Sequence, residues 1–190
     1  FCGAQSVAAV STGTQVTQIV TSLVTGLTLG STVIIGQYTG QGEYGKVKRA
    51  IGTTLTVFAC VALALTAGML AVLRPLLRLL QTPQPAFELA VQYVTVCMLG
   101  NLFICGYNAI SAVLRGWGDS RRPMWFVGIA CAINIVLDVV FVRFLGLDVA
   151  GTALATVISQ GVSMALAVVY LRRHHFLFDF RLPSFLPDKH

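Results

Sequence analysis

One carboxylate lies deep inside an apolar run, in Ala132-Ile133-Asn134-Ile135-Val136-Leu137-Asp138-Val139-Val140. An acid in a bilayer costs about 2.5–3.5 kcal/mol on insertion scales, so its default reading is functional. Asn134 is four residues earlier and shares its helical face. The helix offers Asp138 no basic partner at a spacing that would pair with it. Desolvation without a cationic partner disfavours the charged form of an acid. Such a carboxyl can take up and release a proton, or hold a small cation such as Na⁺. The next apolar stretch carries Thr152, Thr156, Ser159 and Ser163 at steps of four, three and four. Asp138 and Thr156 each lie about seven residues from the loop joining their helices. At 1.5 Å per residue both sit about 10 Å below that surface. Asn134, Asp138 and Thr156 are therefore expected to meet as a cluster of amide, carboxylate and hydroxyl. The competing reading is an acid satisfied by hydroxyls and amides simply to join helices.

Other polar groups in apolar stretches are candidates for a substrate cavity. Ser11, Thr14, Thr17, Thr21, Thr25, Thr28 and Thr32 recur at steps of three or four and so share one face. A face of hydroxyls suits a neighbouring helix or water better than lipid, and Gly26-x-x-x-Gly30 on the same helix fits close packing. Packing and cavity lining both remain open, with Thr21, Thr25 and Thr28 as the cavity candidates. Asn101, Tyr107 and Asn108 put polar groups on a third stretch, as cavity lining or as interhelical glue. Thr152 and Ser159 complete the candidate wall. Gly40-x-Gly42-x-x-Gly45 matches a dinucleotide fingerprint on paper but lacks the preceding strand. His174 and His175 lie in a polar tail without an acid or cysteine at metal-binding spacing. No histidine lies in an apolar stretch, so no Ser/His/Asp arrangement is available there.

These residues need elements to position them, and composition says which. Of 190 residues, 56% are hydrophobic and 11% charged, against about 25% charged in an ordinary soluble domain. So few charges cannot cover a soluble fold of this size; a bilayer removes the need. Five stretches are long enough to cross it, at about 8–37, 51–73, 88–114, 123–145 and 149–171. Spanning backbone must satisfy its own hydrogen bonds, and continuous apolar runs favour helices over alternating strands. The expected fold is all-α, a polytopic membrane helix bundle of five transmembrane helices. Short loops with turn chemistry separate them: Thr39-Gly40-Gln41-Gly42, Thr82-Pro83-Gln84-Pro85, Gly116-Trp117-Gly118-Asp119 and Gly146-Leu147-Asp148. Gly40-Gln41-Gly42-Glu43 and Gly116-Trp117-Gly118-Asp119 echo each other, either as an old duplication or as two similar tight turns. Five cysteines without a C-x-x-C pair read as small hydrophobes in the core.

The net charge of +6 does not mark a nucleic-acid face, because the basic residues cluster at the ends of apolar runs. One set of segments holds ten of the thirteen Lys and Arg, the alternate set only Arg74, Arg78 and Arg143. The positive-inside rule puts the first set, and the C-terminal tail, in the cytoplasm. The location is then a cell membrane, multi-pass, with the bilayer as one partner. A chain that opens on Phe1, without an initiator Met or a leader, reads as a segment of something longer.

Three passages resemble the multidrug and toxic compound extrusion (MATE) family. They are Gly30-Ser31-Thr32-Val33-Ile34-Ile35-Gly36-Gln37-Tyr38-Thr39-Gly40, then Tyr107-Asn108-Ala109-Ile110-Ser111-Ala112-Val113-Leu114-Arg115-Gly116-Trp117-Gly118-Asp119-Ser120 running into Arg122-Pro123, and Asn134-Ile135-Val136-Leu137-Asp138 with Gly146 and Val149–Thr156. The resemblance covers about residues 6–172. It implies that the five spans are helices two to six of twelve, in a protein of two six-helix lobes. Residues 1–172 would be a partial N-terminal transmembrane lobe and 173–190 a cytoplasmic inter-lobe linker. It further implies that the ion site of that lobe corresponds to Asn134, Asp138 and Thr156. The family uses another acid in its first helix, which this chain lacks, as it lacks the C-terminal lobe; both would be partners within the same protein.

The expected function is multidrug efflux by antiport, small and often cationic organic substrates leaving in exchange for H⁺ or Na⁺. No cofactor beyond the coupling ion is expected, and no enzymatic activity. A flippase for lipid-linked oligosaccharides, from the related superfamily, is the nearest alternative. Its cavity should carry Arg and Lys for pyrophosphate, and no span here has a basic residue near its middle. A non-transporting membrane scaffold is the remaining reading.

Overall fold

The computed structural model describes residues 4–80, 82 and 84–173. The described residues form six α-helices and no strand. They are α1 (Ala4–Gly40), α2 (Tyr44–Leu79), α3 (Gln84–Leu99), α4 (Asn101–Gly116), α5 (Arg121–Val139) and α6 (Asp148–Arg173). A π-helical turn over Val140–Phe144 extends α5. Four of the helices are each long and apolar enough to cross a bilayer, and α3 with α4 makes a fifth span bent by 42°. The expected linker beyond Arg173, with His174 and His175, lies outside the described residues.

The bundle is apolar outside as well as inside. Leu63 is 66% exposed, Trp125 66% and Val136 60%, as a lipid-facing surface requires. Between the helices, Val24, Phe58, Ala62, Cys105 and Ala109 form a buried cluster, and Ile35, Val47, Ile51 and Val113 another towards the basic end. Helix α1 packs on α3 and α4, α5 packs on α6, and α6 also meets α3 and α4. Of the cysteines expected in the core, Cys97 and Cys105 are buried, whereas Cys60 and Cys131 are exposed on the outer surface.

Helix ends follow local chemistry more closely than hydropathy. Helix α2 starts at Tyr44, before its apolar run, because Lys46, Lys48 and Arg49 remain helical while their charges reach for the interface. Helix α3 starts at Gln84, so Pro85 falls in its first turn, where no N–H is missed. The two echoing turns close in the same way. Gly42 (φ 71°) and Gly118 (φ 91°) take the left-handed conformation. The following amides, Glu43 N and Asp119 N, donate to Tyr38 O and Leu114 O five residues back, at 3.1 and 2.9 Å. Each acid then pairs with a base three residues on: Glu43 with Lys46 at 2.6 Å and Asp119 with Arg122 at 3.0 Å.

The stretch expected as one helix over 88–114 is broken at Gly100. The Gly100 Cα approaches α6 so closely that a Cβ there would lie 2.5 Å from Val157 Cγ2. Asn101, fully buried, fastens the break by donating from Nδ2 to Ala62 O (3.4 Å) and Thr66 Oγ1 (3.3 Å) on α2. Thr66 Oγ1 in turn donates to Met98 O at 3.2 Å, taking up a carbonyl at the break.

Among the described residues, the close approach of α1 falls elsewhere than at Gly26 and Gly30. A Cβ at either would meet nothing within 4 Å, whereas one at Gly116 would lie 2.7 Å from Ile35 Cβ and 3.0 Å from Thr32 O. The close approach of α1 is therefore made with α4, through Gly116. Gly116→Ala in the intact protein is expected to cost about 1–3 kcal/mol by overpacking, since a backbone oxygen cannot rotate away. A thermal melt in detergent reads this directly.

Candidate functional site

Asp138 and Asn134 project from the same face of α5. Asp138 Oδ1 and Asn134 Nδ2 are both shielded from solvent, and both lack a hydrogen-bond partner. A buried polar atom left unmatched costs about 1–3 kcal/mol, and polar atoms left so in a folded protein call for a reason. None of the ion pairs Glu43–Lys46, Arg74–Glu88 and Asp119–Arg122 reaches Asp138.

Three contacts set the antiparallel register of α5 and α6. Ser163 Oγ donates to Phe126 O at 3.1 Å. The Arg122 guanidinium lies over the Tyr170 ring at 4.4 Å from its centre. Gly151 sits so near Phe141 that a Cβ would meet the Phe141 Cβ at 3.0 Å. In this register Asn134 is about level with Thr156, and Asp138 about level with Thr152, one turn nearer the connecting loop. A single depth for Asn134, Asp138 and Thr156 thus becomes two rungs about 6 Å apart.

The Thr156 hydroxyl donates to Thr152 O at 3.0 Å, which leaves its lone pairs facing a cavity of about 130 Å³. The cavity lies between α1, the α3–α4 break and α6, and its polar wall is Thr17, Thr21, Tyr93, Asn101, Thr156 and Gln160. Asn134 and Asp138 are not among the residues that line it. The Tyr93 ring packs on Gly13, and its hydroxyl is 3.4 Å from Thr14 Oγ1. Sequence reasoning passed over Tyr93 and Gln160, and put Thr17 on the hydroxyl face without making it a cavity candidate. A buried Tyr needs a partner for its hydroxyl, and that signal would have drawn attention to Tyr93.

The other expected cavity residues divide. Thr21 and Asn101 line the cavity, although Asn101 also holds the break. Thr152 donates to Asp148 O at 3.3 Å and lines a second space of about 290 Å³ with Ser6, Val10, Ser11 and Asp148. Tyr107 is glue: its hydroxyl donates to Pro123 O at 2.8 Å and joins α4 to the start of α5. Asn108 donates to Ile104 O at 2.8 Å, and its Oδ1 lies 3.4 Å from the buried Thr28 hydroxyl, where α4 meets α1. Ser159 is buried and donates to Thr156 O at 2.9 Å. Thr25 is exposed and donates to Thr21 O at 2.8 Å. The hydroxyl face of α1 repeats this pattern. Thr14, Thr17, Thr21, Thr25, Thr28 and Thr32 each donate to a carbonyl of their own helix at 2.7–2.9 Å. The strip therefore needs no partner for its protons and presents lone pairs outward.

Comparison with known proteins places the chain in a family. "Probable multidrug resistance protein YpnP" of Bacillus subtilis (strain 168) is 30% identical over 181 residues, 95% of this chain and 40% of that protein. An inward-facing multidrug resistance MATE transporter superimposes with a TM-score of 0.92 at 29% identity, over 98% of this chain and 43% of that one. An outward-facing one gives 0.89 at 28% identity, over 99% and 42%. The chain thus spans about two-fifths of the length of these relatives. The MatE family profile matches residues 1–140, and the chain belongs to that family.

Proposed function

We propose that this chain is the part of a multidrug efflux antiporter that couples export of small cationic organic molecules to the entry of H⁺ or Na⁺. The observation that carries the proposal is the pair of buried, unmatched atoms on α5, Asp138 Oδ1 and Asn134 Nδ2. An ionised Asp138 draws the Asn134 amide one turn away as a donor. A proton or Na⁺ arriving at the carboxyl removes that need and competes with the amide. A ligand moves a conformational equilibrium only by binding its two states unequally. A carboxyl that is wet in one state and desolvated in the other meets that condition. Thr156, Thr17, Thr21 and Tyr93 supply oxygens to the separate cavity between α1, the α3–α4 break and α6.

The similarity of this lobe to both an inward-facing and an outward-facing transporter supports rocking of the lobe as a body rather than its internal rearrangement. The absence of Lys and Arg from the middle of the spans, together with the family, favours drug export over transport of pyrophosphate-linked lipids. The orientation proposed is multi-pass in the cell membrane with the basic end, and hence the tail after α6, in the cytoplasm.

Ethidium efflux from cells carrying the intact gene tests this, with the Na⁺ and proton gradients dissipated separately. Efflux should collapse with one of the two gradients and survive loss of the other. Undiminished efflux with both gradients gone would remove the coupling proposal.

A further inference from the structure

The bend between α3 and α4 is fastened by one hydroxyl of a third helix. In an unbroken helix Met98 O would accept from the amide four residues on. The ladder stops here, because α3 ends at Leu99 and α4 starts at Asn101. The last carbonyls of a helix have no partner within it, and a bilayer offers no water to take the partner's place. Val96 O is taken by Gly100 N at 3.1 Å. Met98 O is taken by the Thr66 hydroxyl of α2 at 3.2 Å.

Thr66 differs in this from the threonines of α1, which donate within their own helix. The acceptor such a hydroxyl uses in its own helix is the carbonyl four residues back. For Thr66 that is Ala62 O, and Asn101 Nδ2 reaches it instead, at 3.4 Å. With its proton given to α3, Thr66 Oγ1 accepts from α4, Asn101 Nδ2 lying 3.3 Å away. One hydroxyl is thus bonded to the last turn of α3 and to the first residue of α4. The two halves stand at 42°. Straightening them returns Met98 O to its own ladder and takes it from Thr66.

The bend shapes the cavity of about 130 Å³. Met98, Gly100 and Asn101 are in its wall, together with Thr156 and Val157 of α6. Thr66 is not among the residues that line it. A change of angle shifts the break against α6, where Gly100 and Val157 are already in close contact, and so changes the width of the cavity. We infer that Thr66 is a positioning residue for transport: it holds α3 and α4 at their bend and thereby sets the fit of the cavity to an organic cation. The inference rests on the reading of the chain as part of a drug exporter.

Ethidium efflux by the intact protein in reconstituted vesicles tests it, with the rate followed against ethidium concentration. Thr66→Val keeps the shape and loses both bonds. Two hydrogen bonds amount to about tenfold in the population of the bent form, and apparent affinity falls with the population of the competent state. KM should rise by up to about tenfold while the maximal rate holds. Thr66→Ser keeps the hydroxyl and should keep the wild-type KM. Thr66→Cys, a weak donor, should lie between the two, and it carries the test if the Val variant does not fold. Thr53→Val removes an exposed hydroxyl from the same helix and should change neither quantity. A wild-type KM in Thr66→Val or Thr66→Cys, a raised KM in Thr66→Ser, or a fall in maximal rate alone would each overturn the role of Thr66 and leave the exporter reading standing. A wild-type protein without saturable ethidium efflux would overturn that reading and this inference with it.

Discussion

Asp138→Asn in the intact gene is expected to reduce drug efflux to the level of cells without the transporter, while protein level and melting temperature hold or rise. The two halves of this result come from one fact. Asp138 Oδ1 is buried and unmatched, so this oxygen makes no hydrogen bond that holds the helices together. An ionised acid in a span costs about 2.5–3.5 kcal/mol, and an isosteric amide removes most of that cost. The amide cannot take up a proton and attracts Na⁺ far more weakly, so coupling is lost. An acid that served as interhelical glue would behave in the opposite way, with Asn lowering stability and sparing efflux. Normal gradient-driven efflux by Asp138→Asn would therefore sink the proposed mechanism. Thr156→Val keeps the shape and removes one oxygen, so a partial loss is expected there, read as weaker resistance to ethidium.

The second large effect is expected at Gly100. A Cβ there would lie 2.5 Å from Val157 Cγ2, 3.0 Å from Cγ1 and 3.2 Å from Cβ. Val157 is β-branched and has little rotamer freedom in a helix, so the clash cannot be relieved by one torsion. Gly100→Ala should cost about 1–3 kcal/mol and force α6 away from the break. Thr156 and Val157 both line the cavity at that point, so efflux should fall with stability. Gly100→Ala combined with Val157→Ala removes the obstruction and should restore both. A double variant no better than Gly100→Ala alone, by thermal melt and by ethidium efflux, would show that the close approach is not what Gly100 provides.

The contrast between Asp138 and Gly100 shows what was legible in the residues. A carboxylate among Ile, Val and Leu is visible because its cost does not depend on its neighbours' positions, and the spans are visible for the same reason: hydropathy adds along the chain. The break is a relation between two helices. Glycine is common inside membrane helices, so only the nearness of Val157 gives Gly100 its meaning. Tyr107 and Asn108 looked like Asn101 in sequence, as polar groups on one apolar stretch. What separates them is which atom lies within reach, Pro123 O for one and Thr28 for the other. The hydroxyl face of α1 was read from its period, but the period does not say that each proton is already committed to the helix's own carbonyls. Depth counted from the helix ends brought Asn134, Asp138 and Thr156 close; the register then separated them into two rungs, because helices slide along one another before they lock.

Two other helix pairs are locked at the basic end. The turns after α1 and α4 are a few residues long, closed by the same backbone bonds around Gly42 and Gly118. Connections so short tie the end of one helix to the start of the next like the crown of a staple. Within each staple the legs can lean, but neither can advance past the other by a residue. Whatever movement the lobe makes, α1 with α2 and α4 with α5 must tilt as pairs, pivoting at these crowns.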